Sequence, residues 1–186
     1  MTEADKELII RSNQGDISAF EQLVFKYDRI VFSVILKYIK DNDEAKDIYQ
    51  EVFIRAFRGL KKFRFQSEFS TWLYRIAANV CLSYIGKQKR NPVDPFLQSD
   101  ENENAPDKAV ETLSPENQYE KKEMMNAIEQ AVNELSPRQR MSFILKHYEG
   151  YKINEIAEIM GCGEGTIKKY LFESIRKLKN QLYEFA

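Results

Sequence analysis

The sequence predicts an all-α protein made of two small helical domains joined by an acidic, flexible linker. Apolar residues recur at three- and four-residue spacing in both halves of the chain, as they do on the inner faces of helices. Four of the five prolines fall between positions 92 and 115, and the first ninety residues contain none. The segment around these prolines is rich in Asn, Asp and Glu and has no sustained apolar period, which is typical of a linker. We therefore expect domains at 1–90 and 117–186, with the linker at 91–116.

The first domain is predicted to contain four helices. A short leading helix is expected from about Ala4, and the next helix begins after Asp16, a residue type that caps helix N-termini well. A third helix follows the polar turn "KDND" and points Phe57 inward with its other apolar residues. The fourth begins near Phe69 and runs towards Gly86 and the basic end "KQKR".

The second domain is predicted to begin with a helix near Pro115, because Ser114 and Pro115 suit the N-cap and the first helical position. A capping-box pattern at Ser136 and Gln139 predicts another helix, which should run to Gly150. Two further helices complete this domain.

The stretch "EIAEIMGCGEGTIKKYLFESIRKLK" fits a helix-turn-helix. Such a motif needs a small residue where the helices cross, a residue free to adopt positive φ in the turn, and an apolar residue that packs back. Ala157, Gly161 and Ile167 meet these needs in order, although a plain helical hairpin would produce the same apolar spacing. The outer side of the second helix is predicted to present Glu164, Lys168, Lys169, Phe172, Glu173 and Arg176. Its cations can reach bases or phosphates in the major groove, whereas its glutamates repel phosphate, so we expect weak DNA binding by this helix alone.

The composition argues against several other classes of protein. The 186 residues carry a formal net charge of −1 and are 43% hydrophobic, which is ordinary for a globular protein. The start has no signal-peptide pattern, and the longest apolar stretch, "IVFSVILKYI", is too short to span a bilayer, so a cytoplasmic location is expected without membrane insertion. Two distant cysteines and one histidine suggest neither a disulfide framework nor a metal site. With no nucleophile motif either, we expect no catalytic residues, no cofactor and no enzymatic activity.

Charge is distributed unevenly along the chain. Residues 61–90 have a net charge of +6, residues 91–123 have −6, and residues 138–186 have +3. A basic block, an acidic connector and a mildly basic block therefore make up most of the sequence.

Three segments in order resemble a known family, the sigma factors of the extracytoplasmic-function (ECF) type, which are the two-domain members of the sigma-70 family. "DNDEAKDIYQEVFIRAFRGLKKF" is similar to the family's core-polymerase-binding helix, and "FSTWLYRIAANVCLSYIGKQKR" to the helix that opens and reads the promoter −10 element. "LSPRQRMSFILKHYEGYKINEIAEIMGCGEGTIKKYL" is similar to the domain that reads the −35 element. Lys152, Gly163 and Glu173 depart from the family pattern, and a basic residue is common at the last of these positions.

The resemblance implies a factor that binds core RNA polymerase, through its β and β′ subunits, and directs initiation at promoter DNA. It also implies restraint by an anti-sigma factor. The implied polymerase-binding residues are Asp43, Asp47, Gln50, Glu51 and Arg55, for which a solvated charged face is the alternative. In the family, the loop before the "TWL" helix forms a pocket for a base flipped out of the −10 strand. The implied −10 residues are Arg64, Phe65, Gln66, Ser67, Glu68, Thr71, Asn79, Lys87, Lys89 and Arg90, and the implied −35 residues are Thr166, Lys168, Lys169, Phe172 and Arg176.

Two aromatic residues near the predicted −10 pocket receive different interpretations. Phe65 could offer a stacking surface to unpaired bases, which is worth about 1–3 kcal/mol per base. For Trp72, packing in the core is the preferred interpretation.

The linker length permits a check on this resemblance. Its 26 residues would average about 25–30 Å end to end as a flexible coil but can stretch to roughly 90 Å. Promoter elements about 17 base pairs apart lie near 60 Å apart, so the linker spans them only if it is extended. The alternative function is a free-standing helix-turn-helix regulator that binds operators without polymerase, against which the low positive charge argues.

Overall fold

The computed structural model describes residues 1–90 and 115–183, with side chains for all of these except 89, 90 and 115–122. All regular structure within these ranges is helical, which confirms the all-α fold class. The helices are α1 (Glu3–Asn13), α2 (Ile17–Tyr38), α3 (Asn42–Gly59), α4 (Phe69–Arg90), α5 (Pro115–Asn133), α6 (Pro137–His147), α7 (Ile153–Met160) and α8 (Glu164–Leu182), with a 3₁₀ turn at Leu60–Lys62. The predicted linker lies outside the described residues except for its last two positions, which open α5.

Local capping explains where several helices begin. The Asp16 carboxylate accepts a hydrogen bond from the backbone N–H of Ala19 at 3.2 Å, as its predicted N-cap role requires. At α6 the Gln139 side chain accepts from the backbone N–H of Ser136 at 3.2 Å, in agreement with the predicted capping box. This helix ends at His147, earlier than predicted, because the chain has already turned before Gly150 adopts its φ of +74°.

The N-terminal half, residues 1–90, forms a bundle of α1 to α4. Its aromatic residues cluster near the 3₁₀ turn, where the Trp72 ring lies in tilted contact with the rings of Phe63 and Phe69 at centroid distances of 5.2 Å and 5.5 Å. This placement confirms the packing role expected for Trp72. The inward placement predicted for Phe57 is wrong, because its side chain is 48% exposed at the rim of α3 and only its ring edge contacts Phe20.

The C-terminal half, residues 115–183, contains the predicted helix-turn-helix in α7 and α8. Ala157 and Ile167 are buried between the helices, and Gly161 ends α7 with φ +62° and ψ +41°. A side chain at this position would be strained in the left-handed region, which explains the glycine. On the other side of α8, Leu178 packs with Leu135 of the α5–α6 turn in a small separate cluster.

The two halves share one continuous hydrophobic core, which the sequence did not predict. Helices α6 and α7 lie against α2 and α4, and buried residues of all four helices belong to the same cluster. The Tyr74 ring of α4 meets the Tyr151 ring edge to face at 5.1 Å. In this arrangement the first helix of the helix-turn-helix covers part of α4.

Polar contacts join the same two halves. The Lys37 ammonium lies 2.6 Å from the Glu149 carboxylate, and the Tyr38 hydroxyl donates to the backbone carbonyl of Pro137 at 2.6 Å. Arg140 donates to the Lys37 carbonyl at 2.8 Å and lies over the Tyr38 ring. Burial raises the pKa of Tyr38 above its ordinary value, so at neutral pH its hydroxyl is a protonated donor.

Candidate polymerase and nucleic-acid interfaces

The predicted polymerase-binding residues lie together on the outer side of α3. Asp43, Asp47, Gln50 and Arg55 are exposed and Glu51 is half-buried. Within this face, Arg55 Nε lies 2.6 Å from Glu51 Oε1. Lys46 donates to Asp43 at 2.8 Å, which holds the pKa of that carboxyl below its usual value. The face is therefore charged, internally paired and open to a partner.

Ile54 is a residue of this face that the sequence reasoning missed. Its side chain is 44% exposed and sits seven residues after Asp47 and four after Gln50, on the same side of α3. An exposed aliphatic side chain among charged ones adds an apolar contact to the face. The i, i+3, i+7 spacing of Asp47, Gln50 and Ile54 in the sequence could have revealed it.

The predicted −10 loop is exposed and contains backbone strain. Arg64, Gln66 and Glu68 are exposed, and Ser67 is half-buried. Phe65 has a φ of +57°, and it is the one non-glycine residue with positive φ among the described residues. Its ring is 41% exposed and meets Phe63 at 5.3 Å. A bulky residue held in this region is costly, and such strain concentrates at functional sites.

The remaining predicted −10 residues are distributed over α4. Asn79 and Lys87 are exposed, whereas Thr71 is only 6% exposed. The Thr71 side chain is therefore buried in this structure, and its contact with the −10 element stays a prediction. The predictions for Lys89 and Arg90 concern side chains outside the described part of the chain.

Four of the five predicted −35 residues are exposed on α8. Lys168, Lys169, Phe172 and Arg176 face outward, and Thr166 is half-buried in the first turn. Phe172 is 67% exposed, so this face combines cations with an apolar ring. Such a mixture can contact phosphates and the thymine methyl group in a major groove.

Glu173 departs from its predicted outward position. Its side chain is only 29% exposed, and its carboxylate accepts a hydrogen bond from the Gln139 amide of α6 at 2.7 Å. The predicted outward position is therefore met only in part: one carboxylate oxygen is held against α6, and the other still faces Lys169. A helical wheel of α8 cannot reveal this contact, since Gln139 lies 34 positions earlier in the sequence.

The helix-turn-helix and the −10 helix lie side by side. Arg75 of α4 and Gly161 of the turn line an open cleft of about 540 Å³ together with Asn154, Glu158 and Glu164. Within residues 1–90 and 115–183 there is no group of three or more His, Cys, Asp or Glu side chains that could hold a metal ion. No helix in these same ranges is long and apolar enough to cross a membrane.

A helix-turn-helix together with a second helical unit that carries an exposed aromatic loop defines a two-part DNA-binding protein. Family comparison agrees: Sigma-70 region 2 matches residues 23–91, and Sigma-70, region 4 matches residues 125–178. The chain is 34% identical over 174 residues to the RNA polymerase sigma-H factor of Pseudomonas aeruginosa, covering 92% of this chain and 90% of that protein. It is also 34% identical over 180 residues to the ECF RNA polymerase sigma-E factor of Escherichia coli K12, covering 96% and 94%. The chain belongs to the sigma-70 family as an RNA polymerase sigma factor of the ECF type.

Two solved structures show the same fold. CnrH, in complex with the cytosolic domain of CnrY, superposes with a TM-score of 0.68 at 17% identity, covering 99% of this chain and 100% of that one. The sigma factor RpoE of Bartonella quintana, in complex with the anti-sigma factor NepR, gives a TM-score of 0.66 at 23% identity, covering 88% and 96%. The two structures confirm the fold, while the family models and the relatives from Pseudomonas aeruginosa and Escherichia coli confirm the predicted family and its function as a sigma factor; nothing in them favours a free-standing regulator.

Proposed function

We propose that this sigma factor binds core RNA polymerase through the outer face of α3, contacting the β and β′ subunits. It would then read and melt the −10 element with the loop 64–68 and α4, and read the −35 element with α8. The observation that carries this division of labour is the placement of three separate exposed surfaces, on α3, in the loop and on α8. The work is binding and positioning, carried out without enzymatic chemistry or a cofactor, in the cytoplasm where the promoter lies.

The loop offers a physical route to −10 recognition. The exposed ring of Phe65 provides a stacking surface for an unpaired base, and its edge-to-face contact with Phe63 at 5.3 Å supports the ring in the absence of DNA. Arg64 of the loop and Asn79 of α4 are exposed hydrogen-bonding groups, and Lys87 is an exposed cation further along α4. Lys89 and Arg90, which follow in the sequence, are proposed as further −10 contacts.

Reading both elements at once requires the two halves to separate. Elements about 17 base pairs apart lie near 60 Å apart, whereas α7 here lies directly on α4. The pair Lys37–Glu149 and the Tyr38–Pro137 hydrogen bond must therefore break when the factor engages a promoter. We infer that residues 1–90 and 117–186 act as two domains in the polymerase complex, joined through 91–116.

An anti-sigma factor is a further proposed partner. Support comes from the fold alone: the similar RpoE chain of Bartonella quintana was solved with the anti-sigma factor NepR bound.

The test is to mix the purified chain with core RNA polymerase and measure complex formation and initiation. Exchanging Ile54 for Glu should weaken polymerase binding at least tenfold, because it places a desolvated charge in the contact, while the thermal unfolding temperature stays within a few degrees. The matched control is Phe25→Glu, which makes the same kind of exchange at an 83% exposed position on α2, in a groove beside Leu8 of α1.

Replacing Asp47 and Glu51 together by Ala should also weaken polymerase binding. Unchanged affinity in both the Ile54 variant and the double variant would remove α3 from the interface. Tight, specific binding to duplex DNA without any affinity for polymerase would instead support the free-standing regulator.

A further inference from the structure

The two lysines at the centre of the α8 outer face each have a glutamate one turn away, but the two glutamates are held differently. Lys168 Nζ lies 3.9 Å from Glu164, and Lys169 Nζ lies 3.9 Å from Glu173. Glu164 is 54% exposed, and within the described part of the chain Lys168 is its one charged partner, whereas Glu173 is 29% exposed and also accepts a hydrogen bond from Gln139. The lysine pairs thus have the same charges and spacing and differ in how firmly the acid is fixed.

Gln139 anchors Glu173 to another helix. Its side chain is 8% exposed, its oxygen accepts from the Ser136 backbone N–H at 3.2 Å, and its amide N–H donates to Glu173 Oε2 at 2.7 Å. Because both ends of the Gln139 amide are used, its orientation is fixed by the first turn of α6. One oxygen of Glu173 is therefore held inward, and the other, Oε1, faces Lys169.

A lysine on a flexible four-carbon stem contacts phosphates with little regard for sequence, because many of its conformations reach the backbone. A fixed carboxylate beside it favours the conformations that keep the ammonium near one place on the helix. It also offsets part of the charge that would attract any DNA.

We propose that Glu173, oriented by Gln139, is a positioning residue that holds Lys169 for one contact in the −35 element and so sets promoter specificity. This inference rests on the proposed reading of the −35 element by α8. Glu173 touches no DNA in this role and acts through Lys169 alone. Glu164 places the same charge beside Lys168 but is not held by another helix, so Glu164 serves as the internal control for Glu173.

The experiment uses the full chain assembled with core RNA polymerase and a library of linear DNA templates randomised over about 40 base pairs upstream of the start site. Sequencing the templates that yield transcripts gives the base preference at each position. Four variants are compared with the parent chain: Glu173→Gln, Glu164→Gln, Gln139→Ala and Lys169→Ala.

Glu173→Gln keeps the shape of the side chain, and its amide oxygen can still accept from Gln139. It should lower the preference at one or two adjacent −35 positions by about threefold or more, as part of the roughly 5- to 100-fold discrimination of a well-placed contact. Glu164→Gln, with the same change in net charge, should leave the preference pattern unchanged. Both should steepen the dependence of log K on log salt for a fixed 40-base-pair duplex by up to about 0.9, one phosphate contact.

Gln139→Ala should weaken the base preference at the same −35 positions as Glu173→Gln, without changing the net charge. The double variant Gln139→Ala/Glu173→Gln should weaken it no further. If Glu173→Gln and Glu164→Gln weakened the −35 base preference equally, the lost charge alone would explain the effect and the proposal would be overturned. An unchanged pattern in Glu173→Gln, with a pattern altered by Lys169→Ala, would also overturn it while leaving the −35 assignment intact. An unchanged base preference in Lys169→Ala would overturn both the positioning role of Glu173 and the assignment of α8 as the −35 reader.

Discussion

The Tyr38 hydroxyl offers a direct test of whether the halves separate on polymerase. Tyr38 is 1% exposed and donates to the Pro137 carbonyl across the boundary at 2.6 Å. Exchanging it for Phe removes this one hydrogen bond and keeps the ring, over which Arg140 lies at 5.2 Å. Pro137 opens α6, so its carbonyl keeps a helical partner four residues on, and the full cost of an orphaned acceptor does not apply.

The expected loss is therefore that of one intramolecular hydrogen bond, about 1 kcal/mol. If the polymerase-bound form lacks the contact, the same 1 kcal/mol favours opening by about fivefold at 25 °C. Tyr38→Phe should accordingly unfold at lower urea, with about 1 kcal/mol less stability, and bind core polymerase up to about fivefold more tightly.

The matched control is Tyr183→Phe, which removes the same atom from a ring that is 83% exposed. It should change neither stability nor polymerase affinity. Binding is measured by titrating fluorescently labelled chain with core polymerase. A Tyr38→Phe chain that loses stability but binds polymerase no more tightly would show that the contact persists in the complex, and the inferred separation would be refuted.

Two further predictions concern stability. Asp5 is 2% exposed and bonded by Lys26 at 2.5 Å and by Tyr27, so Asp5→Asn should lower the free energy of unfolding by about 2 kcal/mol at pH 7 in urea titrations. Burial alone would raise the pKa of Asp5, but the hydrogen bonds, led by that from Lys26, hold the pKa below its usual value. This contribution to stability is therefore present above about pH 4 and lost as the pH falls through the lowered pKa. A stability difference that persisted undiminished at pH 2 would contradict the reasoning. Gly161→Ala should lower the free energy of unfolding by about 1 kcal/mol in thermal melts, because φ is +62°. The control Gly165→Ala inside α8 should not lower it, since nothing lies within 4 Å of an added Cβ and alanine favours the helix. Equal losses would contradict the assigned turn geometry.

The elements of this fold follow from short-range chemistry, which the sequence displays. Asp16, Ser136 and Gly161 mark helix ends through caps and backbone conformation, and each acts within a few residues of its own position. The helix-turn-helix could be predicted for this reason. Its buried residues keep helical spacing within each helix, with Ile156 and Ile159 on α7 and Ile167 and Leu171 on α8.

The packing between the halves could not be predicted in the same way. Tyr38 and Tyr74 have the periodicity of core residues, and a periodic pattern gives the buried side of a helix without naming the helix that covers it. The contacts that decide the question, such as Lys37 with Glu149, join positions 112 apart in sequence. The same limit explains the misplaced Glu173, whose partner lies on another helix.

The low net charge of −1 is consistent with a reader that depends on polymerase. Sequence-independent affinity for DNA grows with each phosphate that a free cation neutralises, and on α8 both Lys168 and Lys169 already face a glutamate at 3.9 Å. The exposed Lys168–Glu164 pair is weak and can be exchanged for a phosphate contact once DNA is close. In the absence of a promoter, the Lys–Glu pairs of α8 lower the free energy gained from binding DNA of arbitrary sequence. Specific contacts made on polymerase, at two elements together, then supply the affinity that α8 lacks by itself.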